Sequence, residues 1–249
     1  MGRDKENRVV KRLFYVQPPD VGQDTCRIKG DEAYHAVNVL RLRQGDECDL
    51  FDGQGGSYHV RLADTRKKTE VIGEIVSRET VMPPYAAHIT LAQAVPKKRK
   101  FDFLLEKATE LGVNEVIPLL TERTDSRMNV SSLDRARVRW QKIIVQAAKQ
   151  SRCYYLPRLR PPAGFETVLN DVNAYTHILM PSPHAPGEAP SVIAELQGSP
   201  SPRVLVLVGP AGGFADAEYS LAKRKDVRLF SLGVTVLKTD TAALTCLGI

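Results

Sequence analysis

Two small-residue segments near the carboxyl end of the chain have the residue types that hold a small ligand. Residues 209–214 and residues 232–242 each follow a β-branched apolar run directly. Glycines in both segments allow the backbone to approach a ligand closely. The second segment contains Thr239 and Asp240, which are typical of a helix start with unpaired N–H groups. We therefore expect the two segments to form one ligand-binding edge.

The first segment does not match the common nucleotide-binding loops. It lacks the Gly-Lys-Ser/Thr of a Walker A motif, and its glycines are not spaced as in a dinucleotide-binding turn. Taken alone, it is typical of an ordinary strand-to-helix turn, and only its pairing with the second segment favours a ligand site. A generic nucleotide-binding α/β enzyme is therefore a rival interpretation. It would be favoured if adenosine triphosphate displaced the ligand from the site.

Basic residues are concentrated in the middle of the chain. The formal net charge is +6, and residues 81–160 hold 15 basic and 7 acidic side chains, whereas residues 1–80 hold 14 of each and residues 161–249 hold 6 basic and 8 acidic. This excess suits contact with phosphate, although a solvated basic surface explains it equally. The four successive cations at 97–100 are a stronger signal, and they favour contact with phosphate over plain solvation. The cations of this region expected to bind RNA are Lys97, Lys98, Arg99, Lys100, Arg123, Arg127 and Arg152.

Several other classes of protein are disfavoured. The four cysteines and five histidines lack the spacing of a zinc site, a disulfide framework or a catalytic triad. The amino-terminal residues lack an apolar signal core, and no apolar run reaches the length of a membrane span. The sequence therefore predicts a reduced, cytoplasmic protein with no metal and no membrane association.

The hydrophobic pattern predicts two domains, 1–82 and 83–249, separated where Pro83 and Pro84 interrupt regular structure. The first domain is expected to be β-rich, with a hairpin turn at 52–56. Its expected elements are strands 13–16, 47–51, 58–62 and 71–76 and a helix at 31–42.

The second domain alternates between strand and helix patterns, which is typical of an α/β fold with a parallel sheet. Its expected elements are strands 88–95, 113–120, 176–180, 204–208 and 227–231 and helices 101–111 and 131–151. Helix 131–151 has an apolar face opposite a basic one, which suits either a nucleic acid or plain solvent. Residues 181–202 are expected to form a surface excursion with a short helix at 192–196.

The residues of both segments resemble one known family, the RsmE family of bacterial 16S ribosomal RNA uridine-N3 methyltransferases, within the SPOUT superfamily. Further matches are spread over residues 12–14, 35–53, 106–113 and 147–151. The matching positions in the two segments are Gly209, Pro210, Gly212, Gly213, Phe214, Leu232, Gly233, Leu237, Thr241 and Ala242.

The resemblance implies a fold and a function. It implies a SPOUT-type parallel sheet with a C-terminal trefoil knot, preceded by a small PUA-like β-barrel that binds RNA. Arg12 and Arg41 belong to this barrel and are expected to bind RNA. General topology rules would forbid a deep knot, so the knot is expected from the resemblance alone. It further implies a homodimer that uses S-adenosylmethionine to methylate N3 of a uridine in the 16S RNA of the small ribosomal subunit.

The resemblance also assigns roles to residues. The apolar side chains of Leu232, Val236 and Leu237 would hold the adenine, although core packing explains them equally. Lys238 stands where the family has Arg and would stabilise charge on the uracil carbonyl oxygens. Asp240, which replaces Glu, would orient a neighbour or the proton, or cap a helix. The implied cofactor-binding residues are Met180, Gly209, Pro210, Gly212, Gly213, Leu232, Gly233, Val236, Leu237, Thr239, Thr241 and Ala242.

One departure from the family pattern favours a rival function. Ala211 stands where the family has Glu, so a carboxylate is missing from the first segment. If that carboxylate orders the segment or handles the proton, the protein would be an RNA-binding or ribosome-assembly protein that keeps the fold with weakened catalysis. The sequence identifies neither the target uridine nor the catalytic base.

Overall fold

The computed structural model describes residues 12–96, 100–124, 130–183, 185 and 188–248, without the side chains of residues 130 and 131. The chain divides into two compact units, residues 1–83 and residues 84–249. None of the helices in the described ranges is both long and apolar enough to cross a bilayer.

The described part of the first unit is a five-stranded sheet with a 3₁₀ turn and a short helical segment. Its described strands follow the order β1-β3-β4-β5-β2, with β1 parallel to β3 and the other pairs antiparallel. Alternate side chains of these strands form its core. The elements are β1 (Leu13–Tyr15), a 3₁₀ turn (Pro18–Asp20), β2 (Thr25–Lys29), α1 (Gly30–Tyr34), a π-helix (His35–Val39), β3 (Glu47–Phe51), β4 (Gly56–Lys67) and β5 (Glu70–Thr80).

The four strands and the hairpin expected in this unit are confirmed, although β4 and β5 run further than predicted. The carboxylate of Asp52 closes the hairpin turn by accepting hydrogen bonds from the backbone N–H groups of Gln54 (2.8 Å) and Gly56 (2.9 Å). The helix expected at 31–42 is confirmed as helical structure up to Val39, but α1 passes into a π-helix and the segment ends before Arg41. Strand β2 was missed, since only two of its five residues point into the core.

The second unit is a parallel sheet with helices on both faces. Its described strands follow the order β12-β10-β11-β6-β7-β8, with β9 also beside β7, and every pair is parallel. The elements are β6 (His88–Ala94), α2 (Lys100–Glu110), β7 (Glu115–Leu120), α3 (Val130–Ser151), β8 (Arg158–Leu159), β9 (Ala163–Gly164), α4 (Phe165–Leu169), a 3₁₀ turn (Val172–Ala174), β10 (His177–Pro181), α5 (Ala189–Gln197), β11 (Arg203–Val208), α6 (Asp216–Arg224), β12 (Arg228–Phe230) and α7 (Thr239–Gly248).

The two faces of this sheet are covered by different helices. Val204 and Val206 of β11 point to the layer that contains α2, α3, α5 and α7, whereas Leu205 and Leu207 point to the layer of α4 and α6. Burial on both faces explains why β11 reads as a continuous apolar run. The expected α/β class with a parallel sheet is confirmed.

Most of the expected elements of this unit are confirmed to within two residues at each end. Helix α2 ends as predicted at Gly112, which has a φ of 76°, while the N–H of Val113 donates to the carbonyl of Ala108. The short helix expected at 192–196 is confirmed within α5, but the surrounding segment 181–202 does not lie wholly at the surface. Ser182 and Val192 are both buried, the latter as part of the core that α5 closes.

The carboxyl-terminal helix determines where a site can form. Strand β12 lies at one edge of the sheet, yet α7 packs against α2, β6 and β11 near its centre. Residues 231–238 therefore connect the edge of the sheet to its centre at the carboxyl ends of the strands. In open α/β sheets this is the edge where ligands bind.

Candidate active site

A cavity of about 470 Å³ lies at the carboxyl ends of β10 and β11. Its walls come from residues 181–183, the first loop (209–214) and the second loop (231–239), with Lys100 of α2 and Ala242 of α7. The two segments singled out in the sequence therefore meet at one cavity. The expected cofactor-binding residues that line it are Gly209, Pro210, Gly213, Leu232, Gly233, Val236, Leu237, Thr239 and Ala242.

The first loop is a tight turn anchored by an aromatic side chain. The N–H of Gly213 donates to the carbonyl of Pro210 at 2.9 Å, and Gly213 has a φ of 69°. Phe214, which is buried, packs against the rings of Phe165 and Tyr219 in the α4/α6 layer. A Cβ atom at Gly209 would lie 3.0 Å from two ring carbons of Phe214, so the close approach requires glycine there.

A second set of contacts ties the first loop to the turn after β7. Glu218 is only 9% exposed. Its carboxylate accepts from the N–H of Ala215 at 2.8 Å and from the N–H of Glu122 at 3.0 Å. Arg123 donates to the carbonyl of Gly212 at 2.7 Å. Glu218 is therefore not a solvated charge on the helix surface, because its carboxylate caps α6 and joins two loops.

The second loop presents apolar side chains to the cavity. Val236 is 78% exposed, although it is a large apolar residue, and Leu232 and Leu237 are half-buried beside it. Gly233 has a φ of 130°, which favours glycine. The hydroxyl of Ser231 accepts from the N–H of Gly233 and donates to its carbonyl. The loop is therefore stabilised by its own polar groups and leaves its aliphatic side chains for a ligand.

Thr239 connects the two loops. Its hydroxyl donates to the carbonyl of Gly209 at 2.6 Å and accepts from the side-chain amide of Gln93 at 2.9 Å. The first intrahelical bond of α7 runs from the N–H of Ala242 to the carbonyl of Lys238. The start of α7 is thus held against the end of β11. Sequence reasoning missed Gln93, because nothing local in β6 distinguishes it from a core position.

Four of the expected site residues do not line the cavity. Met180 is fully buried in the α4/α6 layer, so this expectation is corrected, and the residues after it, Ser182 and Pro183, form that wall instead. The others lie at the margins of the described site. Gly212 has its carbonyl on Arg123, Asp240 accepts from the N–H of Thr241, and Thr241 accepts from the hydroxyl of Thr245.

Two cations expected from the sequence lie at the cavity itself. Lys100, the first residue of α2, and Lys238, at the end of the second loop, are both exposed and both line it. Arg152 is exposed at the end of α3, where its φ of 56° ends the helix. In the first unit, Arg12 and Arg41 are exposed. The expected RNA-binding residues Lys97, Lys98, Arg99 and Arg127 lie outside the described residues.

The basic face of α3 is less suited to phosphate than its sequence indicated. Arg139 donates to the carboxylate of Asp102 at 2.8 Å, and the indole N–H of Trp140 donates to the same oxygen at 3.1 Å. A groove of about 590 Å³ between α2 and α3 is also lined by Glu106 and Glu110. These carboxylates offset the neighbouring cations, which favours the simpler interpretation of this face as a solvated one.

The described cysteines are poorly suited to nucleophilic chemistry. Burial raises the pKa of the Cys246 thiol to about 12 and that of the Cys48 thiol to about 12. Burial also raises the pKa of Cys153. A thiol with a raised pKa remains protonated near neutral pH and is a weak nucleophile. Within the described ranges, no three His, Cys, Asp or Glu side chains are placed to share a metal ion.

Comparison with known proteins identifies the family. Residues 83–249 match the family described as RNA methyltransferase domain, and residues 28–76 match the RNA methyltransferase PUA domain. The Ribosomal RNA small subunit methyltransferase E of Synechocystis sp. is 34% identical over 242 residues, covering 96% of this chain and 77% of that protein. The chain belongs to the ribosomal RNA small subunit methyltransferase E family. The family member from Bacillus subtilis is 28% identical over 229 residues, covering 90% of this chain and 88% of that protein.

Solved structures of this family share the fold over nearly the whole chain. The methyltransferase E of Neisseria gonorrhoeae, crystallised with S-adenosyl methionine, superposes with a TM-score of 0.81 at 28% identity and covers 96% of this chain and 95% of that one. A structure from Legionella pneumophila, solved with bound cofactor SAM, gives a TM-score of 0.84 at 28% identity and covers 96% of both chains. The family resemblance predicted from the loop residues is confirmed.

Proposed function

We propose that this chain transfers the methyl group of S-adenosylmethionine to N3 of a uridine in the 16S RNA of the small ribosomal subunit. The observation that carries the proposal is the meeting of the two glycine-containing loops at one cavity. Family membership supplies the reaction class, and the names of the relatives supply the class of RNA.

The residues at the cavity fit the cofactor. Its volume of about 470 Å³ suits a ligand of this size. Val236, Leu232 and Leu237 offer apolar walls for the adenine. The carbonyl of Gly209 accepts from Thr239 but retains a second lone pair, so it can accept from the ligand as well. When bound, the cofactor supplies an electrophilic methyl group, so the protein has mainly to position the reactants.

Lys238 is proposed as the catalytic residue. The N3 proton of a uracil must leave before or during methyl transfer, and the resulting negative charge spreads over the two carbonyl oxygens. The exposed ammonium group of Lys238 lines the cavity, where it can stabilise that charge. Lys100 lines the same cavity and adds a second positive charge. Asp240, whose carboxylate accepts from the N–H of Thr241, is proposed to hold the start of α7 beside Lys238.

The two units are proposed to divide the work at the expected boundary, with 1–82 gripping RNA and 83–249 performing catalysis. The five-stranded order of the first unit supports a small PUA-like barrel. The passage of 231–238 from the edge strand to the central strands supports the trefoil knot. We further propose a homodimer in which basic residues of one subunit serve the RNA bound at the other.

The experiment has two parts. Calorimetry with S-adenosylmethionine should give a saturable binding curve, and the absence of heat at millimolar ligand would reject the cofactor site. The protein should then methylate small subunits purified from cells lacking the modification, with 3-methyluridine detected by mass spectrometry of the nucleosides. Production of a different methylated nucleoside would reject uridine N3 as the target.

Ala211 favours the second candidate, an RNA-binding or ribosome-assembly protein with weakened catalysis. Ala211 is exposed and lines the cavity, so the missing carboxylate would have stood at the ligand. The variant Ala211→Glu separates the two functions. If the wild-type protein binds both S-adenosylmethionine and small subunits without turnover, and Ala211→Glu restores turnover, the second candidate is correct. Turnover by the wild-type protein that Ala211→Glu does not increase would support the enzyme.

A further inference from the structure

A chain of hydrogen bonds behind the cavity joins three elements that are far apart in sequence. Gln93, in β6, donates from its amide nitrogen to the carbonyl of Ala94 and to the hydroxyl of Thr239, both at 2.9 Å. Thr239, the first residue of α7, donates onward to the carbonyl of Gly209 at 2.6 Å. Thr239 and Gly209 line the cavity, whereas Gln93 is fully buried behind them. These hydrogen bonds therefore connect β6 to both loops of the site.

The direction of these hydrogen bonds follows from the partners. Ala94 can offer Gln93 only a carbonyl oxygen, so the amide nitrogen must face it, since the opposite orientation would set two acceptors against each other. The nitrogen then donates to Thr239, which leaves the single hydroxyl proton of Thr239 for Gly209. Each member thus determines the donor or acceptor role of the next. Substituting Gln93 is therefore expected to affect the contact between Thr239 and Gly209.

Gln93 contributes little to stability for its size. It lies on the α7 side of the sheet, on the same face as Leu91. Among the described residues its side-chain oxygen has no hydrogen-bond partner, although it is buried. A buried acceptor without a partner costs free energy, so an apolar side chain of similar size would suit this core position better. The contact with Thr239 is what an apolar residue could not provide.

We propose that Gln93 is a positioning residue for the cofactor site, acting through Thr239. This inference rests on the proposed function, because the ligand whose site it organises is S-adenosylmethionine. These hydrogen bonds hold the first turn of α7 against the start of the first loop, and thereby set the separation of the two cavity walls. Walls that are held in place before the ligand arrives bind it more tightly than walls that must be ordered on binding.

The test uses two disrupting variants, one rescuing variant and one control. Gln93→Met removes the amide but keeps the size of the side chain, and Thr239→Val removes the hydroxyl. Thr239→Ser keeps the hydroxyl. Thr245→Val removes a hydroxyl from the same helix, where it bonds only to the carbonyl of Thr241 among the contacts described. The measurements on the full chain are S-adenosylmethionine affinity by calorimetry, melting temperature, and amide hydrogen exchange of residues 209–215 without ligand.

The affinity of both disrupting variants for S-adenosylmethionine should fall by about tenfold or more, because each loses a hydrogen bond that holds the site in place before binding. Their residues 209–215 should exchange faster, while the melting temperature of Gln93→Met stays level or rises. Thr239→Ser and Thr245→Val should behave like the wild type. Unchanged affinity and exchange in both disrupting variants would overturn the inference. A loss in Gln93→Met that is matched by a lower melting temperature would also overturn it and indicate a merely structural role.

Hydrogen exchange keeps this inference separate from the proposed function. If the wild-type protein binds no S-adenosylmethionine, the proposed function fails at that step and the cofactor role of Gln93 fails with it. If the wild-type protein binds the cofactor but the two disrupting variants bind it equally well with unchanged exchange, only the positioning role fails.

Discussion

Gly209 shows how a single residue of the site is determined by packing. Its Cβ position lies 3.0 Å from the Phe214 ring, which is itself packed between two other aromatic rings. We expect Gly209→Ala to destabilise the protein by about 1–3 kcal/mol, because the ring has to move within a filled core. Gly212→Ala is the matched control, since its Cβ would meet only an ordinary contact at 3.7 Å. Urea denaturation checks both, and equal stability of the two variants would contradict this account.

Lys238 is the residue on which the chemical step is expected to depend. Lys238→Met should lower the rate of methyl transfer by about a hundredfold, the usual effect of removing one group that stabilises developing charge. Its affinity for S-adenosylmethionine should stay close to that of the wild type, because the adenine is held by other residues. Lys238→Arg keeps the positive charge and should retain most of the activity. Single-turnover kinetics measure the step, and a loss of binding with no loss of rate would argue against this role.

His59 in the first unit gives a prediction on pH. Its ring nitrogens lie 2.8 Å from a carboxylate oxygen of Asp49 and 3.2 Å from one of Glu47, and the hydrogen bond to Asp49 is the main cause that raises the pKa of His59 above its ordinary 6.5. Arg61, and then His59, hold the pKa of Glu47 below its ordinary 4.5. A histidine whose pKa is raised in the folded protein contributes its full stabilisation below about pH 6.5. That stabilisation is lost as the pH rises through the raised pKa.

The melting temperature of the wild-type protein should therefore exceed that of His59→Gln by the largest margin between about pH 4.5 and 6.5, where Glu47 is also ionised. The difference should fade above the raised pKa. Asp49→Asn should bring the pKa of His59 back towards its ordinary value, which a titration followed by nuclear magnetic resonance would measure. A pKa of 6.5 or lower for His59 in the wild-type protein would contradict the prediction.

The residue types in the sequence identified the residues that line the site, but not the buried residues that hold them in place. Glycine, proline and apolar residues in two loops are visible in sequence because each acts through its own backbone or side chain. Gln93 and Glu218 act only through partners, and Gln93 is separated from Thr239 by 146 positions. Glu218 was hidden for a further reason. It is the third residue of α6 and completes a capping arrangement, but the cap position is Ala215, which lacks the usual hydroxyl.

Among the strands and helices, long apolar patterns were predictable from the sequence, whereas short patterns with few apolar residues were not. The parallel strands of the second unit are buried on both faces, so their apolar runs stand out. Strand β2 has charged and polar residues at three of its five positions. The π-helix at His35–Val39 is defined by i→i+5 hydrogen bonds, such as that from the N–H of Leu40 to the carbonyl of His35, and the residue pattern does not indicate them. The path of 231–238 depends on tertiary packing, and a local pattern contains no information about it.

The start of α6 depends on the carboxylate of Glu218. Glu218→Ala would leave two backbone N–H groups, those of Glu122 and Ala215, without their acceptor. We expect a loss of about 2 kcal/mol in the free energy of unfolding, because Ala215 is buried and a buried N–H group without an acceptor is costly. Asp216→Ala removes an exposed carboxylate from the same helical turn and should cost only about 0.5 kcal/mol. Chemical denaturation compares the two, and similar losses would mean that only the charge at the helix end matters.

The charge of the whole molecule is unevenly distributed, and a prediction on RNA binding follows from that distribution. The excess of cations lies in residues 81–160, and the second unit also contains a separate basic run, residues 223–225 at the end of α6. That helix belongs to the layer of the sheet opposite α2, α3 and α7. The chain therefore offers two basic runs for a comparison in which net charge is held equal.

Replacing Lys97, Lys98 and Arg99 with alanine should weaken RNA binding and make it less dependent on salt. Each lost contact with a phosphate of single-stranded RNA lowers the slope of log affinity against log salt by about 0.7, so three contacts amount to about 2. Replacing Lys223, Arg224 and Lys225 changes the net charge equally and should leave the slope close to that of the wild type. Fluorescence anisotropy with a labelled RNA at several potassium chloride concentrations measures both slopes. If both triple variants reduce the slope equally, RNA responds to the overall charge of the protein and not to the cations at 97–99 in particular.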